Sequence, residues 1–298
     1  MRRMFITILM SFLLCHVLQA ADYKVAARAH QGIAAAVKNW QPTLDFLTKH
    51  IPEHTFSLIP VLSLNELTQR AGRGEFDFVL TNPSSYVEIA QLHNAVALVT
   101  LNNKRGNTAQ SRFGSVIFTH AANDEILSIK DLKGKTMMIV SEPAFGGWRV
   151  PLLEMLEQGF DPYRELSELI LSKSKTQQEV VHAVIDRKVD AGVVRTDLLE
   201  RLEAAGEIDM RYLRIINNKD LRGFPFFLST KLYPEWAFAA LKHIPDEQAL
   251  QITRILLGIS KDSQAAMQGN YVGWNKPSDY GSVQNLMQQL KVGPYAEK

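Results

Sequence analysis

One cysteine, Cys15, is all the thiol chemistry in this 298-residue sequence, and it sits near the N-terminus. Once the leader is removed, neither a disulfide nor a cysteine nucleophile is possible, so the fold rests on core burial alone. Long apolar runs are scarce too. The one candidate, residues 4–15, follows Arg2 and Arg3 and precedes Ala20 and Ala21, which predicts a cleaved secretory signal over residues 1–20 and a periplasmic destination. A bilayer needs roughly 20 apolar residues, so a retained signal anchor is the weaker alternative. Lipidation at Cys15 is disfavoured because bulky Leu14 precedes it. Net charge is missing as well: losing Arg2 and Arg3 takes the 33 basic residues to 31, equal to the 31 acidic ones. A balanced chain offers no basic face for nucleic acid. No P-loop, no G-x-S-x-G and no H-E-x-x-H occurs, and the histidines show no metal spacing. No cofactor is expected and the chain is not read as an enzyme; one on the same fold is the remote alternative.

What is present is alternation. Strand-like runs at 23–28, 55–61, 76–80 and 95–101 are separated by amphipathic segments, and strand-like runs at 135–140, 168–172 and 190–194 repeat the arrangement. Val37, Trp40, Leu44, Leu47 and Ile51 share one helix face, with Pro42 expected in the first turn and Asn39 as its cap. Glu66 precedes Asp77 by eleven residues, and Glu179 precedes Asp190 by the same distance. From Arg28 to Asp77 is 49 residues, and from Val140 to Asp190 is 50. These matches predict an α/β protein of two lobes with parallel-rich sheets flanked by helices. The expected boundaries are 21–112 for the first lobe, 113–220 for the second, and 221–298 for a return crossing with C-terminal helices bracing the first. Strands at 112–120 and 223–230 are the expected hinge crossings.

Open parallel sheets bind ligands outside the carboxyl ends of their strands. There the chain reads "AHQG", "TNPSSY", "SEPAFGGW" and "RTD". Asn82 can cap a helix starting at Pro83, leaving the amides of Ser84 and Ser85 as an anion site. Gly146 and Gly147 let backbone approach a ligand from the other lobe. The candidate ligand-binding residues are His30, Thr81, Asn82, Ser84, Tyr86, Phe145, Gly146, Gly147, Trp148, Arg149, Arg195 and Thr196. Each has a plainer reading: a capped helix with Tyr86 in the core, aromatics buried against the sheet, solvated arginines, a structural histidine. No metal site is expected.

The runs "GEFDFVLTNPSSYVEI", "FGSVIF", "IKDLKGKTMMIVSEPAFGGW", "KVDAGVVRTDLLERL" and "PSDYGSVQNLMQQLKVGPY" resemble the periplasmic phosphonate-binding proteins of ABC transporters. They look closer still to the sensory domains of tetrathionate-sensing histidine kinases. The resemblance covers nearly the whole chain beyond the leader. It implies a type II periplasmic binding protein, with a two-strand hinge, closing on a small anion.

The departures from the family shape the expected ligand. Phosphonate binders of the family carry Ser-Thr-Ser-Gly where this chain has Ala144, Phe145, Gly146 and Gly147, so the hydroxyls are missing. Aminoalkyl phosphonates also need carboxylates, and near the strand at 190–194 the sequence shows Arg195 instead. An arginine favours a second negative charge, and Phe145 and Trp148 suit polarizable sulfur. The expected ligand is therefore a sulfur oxyanion such as tetrathionate or thiosulfate, with phosphate, phosphite or phosphonate as the alternative. The expected partner at the inner membrane is an ABC permease or a sensor histidine kinase. The resembling kinases continue past "GPY" into a membrane helix whereas this sequence stops at Lys298, so a standalone protein is expected, and the resemblance implies a monomer.

Overall fold

The computed structural model describes residues 21–297; the predicted signal lies outside the described residues. Strands β1 (Ala21–Arg28), β2 (His54–Val61), β3 (Phe78–Thr81), β4 (Val96–Arg105) and β5 (Thr108–Gln110) begin the first sheet. The two-residue β6 (Arg112–Phe113) leads out of it. Strands β7 (Ser115–His120), β8 (Thr136–Ile139), β9 (Glu168–Leu171), β10 (Ala191–Arg195) and β11 (Leu213–Ile216) form the second sheet. The chain returns through β12 (Tyr233–Pro234), and β13 (Ala237–Ala240) and β14 (Tyr271–Asn275) complete the first.

The sheets follow one plan. The first runs β14-β4-β13-β3-β1-β2, with β5 beside β4, and the second runs β11-β7-β10-β8-β9. In each, three parallel strands end against one antiparallel strand: β2, β1 and β3 against β13, and β9, β8 and β10 against β7. The antiparallel strand is the one fed by a crossing, since β6 precedes β7 and β12 precedes β13. The crossings β6 and β12 pair with each other alone, so two short extended segments join the lobes.

The matched glutamates and aspartates have equivalent jobs. Ser63 caps the Glu66 amide at the start of helix Leu64–Gly72, and Thr176 caps the Glu179 amide at the start of helix Gln177–Ile185. Capping satisfies an amide that the first helical turn would otherwise leave unpaired. The strand that follows each helix is then tied at its foot. Asp77 Oδ2 accepts from the Lys24 amide at 2.7 Å, and Asp190 Oδ2 accepts from the Thr136 amide at 2.8 Å.

Both sheets are packed on both faces. Trp40, Leu44, Phe78, Phe238, Leu256 and Tyr271 fill one side of the first sheet, and Leu67, Phe76, Val79 and Ile89 fill the other. The second sheet is covered by Val180, Val184 and Leu199 on one face and by Trp148, Met155 and Phe160 on the other. A fifth cluster draws on both lobes and both crossings: Val87, Phe113, Phe145, Val150, Tyr233, Tyr280 and Leu286. Helix Gly281–Gln289 supplies its centre, touching helix Pro83–His93, helix Val150–Glu157 and β12. Among the described residues, no helix is long and apolar enough to cross a membrane.

Two local expectations are corrected. The first helix spans Ile33–His50 with Gly32 at its N-cap, so Pro42 lies in its interior and Asn39 caps nothing. Ala34, Ala35 and Ala36 extend the helix upstream because alanine has the best helix propensity, and the apolar face anchors it through buried Trp40, Leu44 and Leu47. Residues 223–230 form no strand. Gly223 takes φ +84° and Pro225 offers no amide hydrogen, so that stretch cannot sustain a ladder.

Candidate functional site

Strand β4 runs antiparallel to β13, as β3 does, so β1, β3 and β4 are mutually parallel and their carboxyl ends lie at one edge. His30 follows β1, Arg105 ends β4, and Arg195 ends β10 in the other lobe. These side chains line a cleft of about 450 Å³, with Trp40, Trp236 and Phe226 as its aromatic walls and Lys104 and Arg201 also on its surface.

Buried carboxylates organise the arginines. Glu235, directly after β12, is fully inaccessible to solvent. Its Oε1 accepts from Asn103 Nδ2 at 3.0 Å and from Arg195 Nη2, while Arg105 Nη2 lies 3.9 Å away. Its Oε2 accepts from the Trp236 amide at 3.2 Å. Burial pushes the Glu235 carboxyl up, but Arg195, Arg105 and these hydrogen bonds outweigh it and hold the group below the usual carboxylate range. Asp197 contacts Arg105 Nη1 at 3.3 Å, Arg195 Nε at 3.7 Å and Arg201 Nε at 3.9 Å. Arg195 also lies over the Phe113 ring, 3.9 Å from its centroid, so a hinge residue supports a cleft residue.

The guanidinium groups keep unused capacity. Arg105 Nε and Arg195 Nε are buried and make no hydrogen bond. Burial first, then the charge of Arg195, pulls Arg105 down to about 10 despite Asp197 and Glu235. His30 stands edge-on to Trp236, 5.3 Å between centroids. Burial and the charges of Arg28, Arg195 and Arg105 push its imidazole down to about 4, so it is neutral near pH 7. Two arginines, one from each lobe, thus meet at the cleft, their charge offset by Glu235 and Asp197 but each Nε left without a hydrogen bond.

Of the twelve residues expected from sequence, His30 and Arg195 line this cleft. The other ten are not among its lining residues. Asn82 Oδ1 accepts from the Ser85 amide at 3.0 Å and from Ser84 Oγ at 3.0 Å, so the Ser85 amide expected to be free is taken by the cap. Thr81 and Ser84 are buried, and Thr81 Oγ1 has no partner. Tyr86 packs on Tyr280 and its hydroxyl accepts from the Ala97 amide at 3.1 Å.

In the second lobe, residues Phe145–Arg149 make a π-helical turn before helix Val150–Glu157. A Cβ on Gly146 would meet Phe113 Cε2 at 2.8 Å, and one on Gly147 would meet Val140 Cγ1 at 2.5 Å. The paired glycines therefore answer to close packing against the hinge and the strand. Phe145 packs on Phe113 and Tyr233 at the crossings. Trp148 is fully buried, and its Nε1 donates to the Tyr163 hydroxyl at 2.9 Å. Burial pulls Arg149 down while the charge of Glu88 on the other lobe pulls it back up. Thr196 clips to the first crossing: its amide donates to the Gly114 carbonyl at 3.1 Å and its Oγ1 accepts from the Gly114 amide at 3.3 Å.

Sequence reasoning missed Arg105, Asp197, Asn103, Glu235 and Trp236. The polar tail "NNKR" continues β4 to Arg105, beyond the expected end at 101, and the strand-end rule applied to the longer strand finds it. The expectation that carboxylates are absent near β10 is also corrected. Asp197 and Glu200 line the cleft, Glu235 lies behind it, and Glu200 Oε2 is buried without a partner.

Comparison with known proteins agrees with this architecture. The family described as the phosphonate periplasmic substrate-binding protein of ABC transporters matches residues 29–280. The tetrathionate sensor histidine kinase TtrS of Salmonella typhimurium is 29% identical over 290 residues, which is 95% of this chain and 46% of that protein. The chain thus spans less than half the length of that curated relative. Among solved structures, PhnD1 from Prochlorococcus marinus in complex with methylphosphonate superposes with a TM-score of 0.69 at 15% identity, covering 92% of this chain and 99% of that one. XAC2383 from Xanthomonas citri bound to ATP gives 0.70 at 18% identity, covering 94% and 100%. These two likenesses describe the fold.

Proposed function

This chain belongs to the family of phosphonate periplasmic substrate-binding proteins of ABC transporters, and from that premise we propose that its interlobe cleft closes on a small oxyanion and presents it to an inner-membrane partner. The observation that carries the reading is the meeting of Arg105 and Arg195, one from each sheet, at one cleft, each with a buried Nε that makes no hydrogen bond. A ligand that accepts from both joins the lobes, and rotation about β6 and β12 buries it. The site must replace most of the anion's hydration, and charge-assisted donors are the groups able to do so.

A sulfur oxyanion such as tetrathionate or thiosulfate is the favoured ligand. The walls Trp40, Trp236 and Phe226 suit polarizable sulfur, and the relative that covers most of the chain is named for tetrathionate sensing. The second reading, phosphate, phosphite or a phosphonate, draws on Asp197 and Glu200, because Glu200 Oε2 invites a ligand that also carries a donor. The partner is an ABC permease or a sensor histidine kinase, and the protein acts by binding, without chemical turnover, in the periplasm.

A thermal-shift screen of tetrathionate, thiosulfate, sulfite, sulfate, phosphate, phosphite and simple phosphonates tests the reading, since a ligand of the folded state raises Tm by mass action. A sulfur oxyanion should raise Tm, and Arg105→Ala and Arg195→Ala should each abolish the rise. A response to phosphorus oxyanions alone transfers the assignment to the second reading. No response to any anion removes the oxyanion class.

A further inference from the structure

Asp197 is out of place for a helix cap. It holds the N-cap position of helix Leu198–Ala204, where aspartate usually accepts from a first-turn amide, yet its side chain makes no such bond. Its backbone takes φ +75°, the left-handed region that few residues besides glycine, asparagine and aspartate enter. It is also buried, at 5% exposure. Something other than the helix holds it there, and the cationic groups around it are Arg105, Arg195 and Arg201. The shortest of these contacts, 3.3 Å to Arg105, runs from the second lobe to the first.

We propose that Asp197 is a built-in stand-in for the ligand: its carboxylate occupies the anion position on Arg105 and Arg195, ties the lobes together, and is displaced when an anion binds. The inference rests on the oxyanion cleft proposed above. Glu235 cannot play this part, because it is fully buried on a crossing and held by Asn103, Arg195 and the Trp236 amide. Asp197 lies at the cleft surface in the turn entering a short helix, with carboxylate contacts to arginines alone. Displacement makes Asp197 a competitor, and every anion meets the same cost of removing it. The residue then sets the affinity threshold of the cleft.

Asp197→Asn tests this, because asparagine is isosteric, tolerates the left-handed backbone and suits an N-cap. Titrations of wild type and variant, followed by intrinsic fluorescence, would use thiosulfate and sulfate as dianions and nitrate as a monoanion. A displaced competitor predicts that all three anions tighten by a common factor, on the order of tenfold for a close charge pair. A static negative charge predicts instead that dianions gain roughly the square of the monoanion factor, since interaction scales with ligand charge. That squared pattern overturns the displacement reading, as does weaker binding of all three, which would make Asp197 a positioning residue. Asp197→Gly, which also relaxes the backbone, should reproduce the common factor; loss of binding in both variants counts against the proposal. If wild type and variants bind none of these anions and none from the screen, the oxyanion cleft falls first and this inference with it.

Discussion

Replacing Glu235 by glutamine examines the centre of the site without changing its shape. Both carboxylate oxygens are in use, Oε1 by Asn103 and Arg195 and Oε2 by the Trp236 amide. Glutamine has one acceptor oxygen, so whichever way its amide turns, an NH₂ group faces a donor. The charge that offsets Arg195 disappears as well. Breaking a buried ion pair costs about 3–5 kcal/mol. The Arg195 side chain keeps 14% of its exposure, so water softens the loss and about 3 kcal/mol is the better figure. For a chain of this size each kcal/mol moves Tm by roughly 2–4 °C, giving an expected fall of about 6–12 °C. Circular-dichroism melting of wild type and Glu235→Gln reads the change directly. Because the folded-state value of Glu235 is depressed, its stabilisation is present above the ordinary glutamate value of 4.5 and is lost as pH falls through the folded value. The gap between the two proteins should therefore narrow in acid. An oxyanion that binds the cleft should recover more Tm in the variant than in wild type, by neutralising Arg195 in place of Glu235. A shift below about 2 °C near neutral pH, or a gap that widens in acid, would refute the reasoning.

Gly146→Ala should cost about 1–3 kcal/mol, read as a lower urea midpoint, because the new methyl meets the Phe113 ring and cores tolerate overpacking poorly; an unchanged midpoint means that the π-helical turn yields freely. Trp236 and Trp40 line the cleft whereas Trp148 is sealed in the second lobe, so Trp236→Phe should diminish the ligand-induced fluorescence change and Trp148→Phe should keep it. The reverse result would place the ligand elsewhere. Burial first and then nearby cations hold His30 near 4; an anion beside it offsets the cations and raises its proton affinity, so binding takes up a proton. Affinity should therefore rise as pH falls toward about 4, and His30→Gln should flatten the profile in isothermal titrations; an equal slope in both proteins excludes His30 as the source.

The lobes were readable because parallel sheets and caps write themselves locally. Ser63–Glu66 and Thr176–Glu179 are contiguous signals, and Asp77 and Asp190 recur at a fixed distance because each ties down an equivalent strand. The return crossing was harder. β12 has two residues, too few for any period to show, while the aromatic run at 223–230 imitates a strand although Phe224 packs on its near neighbour Phe226. The site divided along the same line. His30 follows β1 and Arg195 ends β10, strands whose ends are marked by a change from apolar to polar residues. Arg105 sits on a polar strand extension, and Glu235 gains its role through Asn103 and Arg195, residues 132 and 40 positions away in sequence. Spacing within a window cannot report a contact of that range.

Helix Gly281–Gln289 has a mechanical consequence. It is wedged between helix Pro83–His93 of one lobe and helix Val150–Glu157 of the other, with β12 along its side. Rotation about the crossings changes the angle at which those two surfaces meet, and a wedge in such an angle must tilt, slide or be squeezed. Its buried contacts run through Val283, Leu286 and Met287, apolar side chains that can shift without breaking a hydrogen bond of their own. If the lobes close as proposed, this helix is the element that lies between the two moving surfaces and has to shift with them.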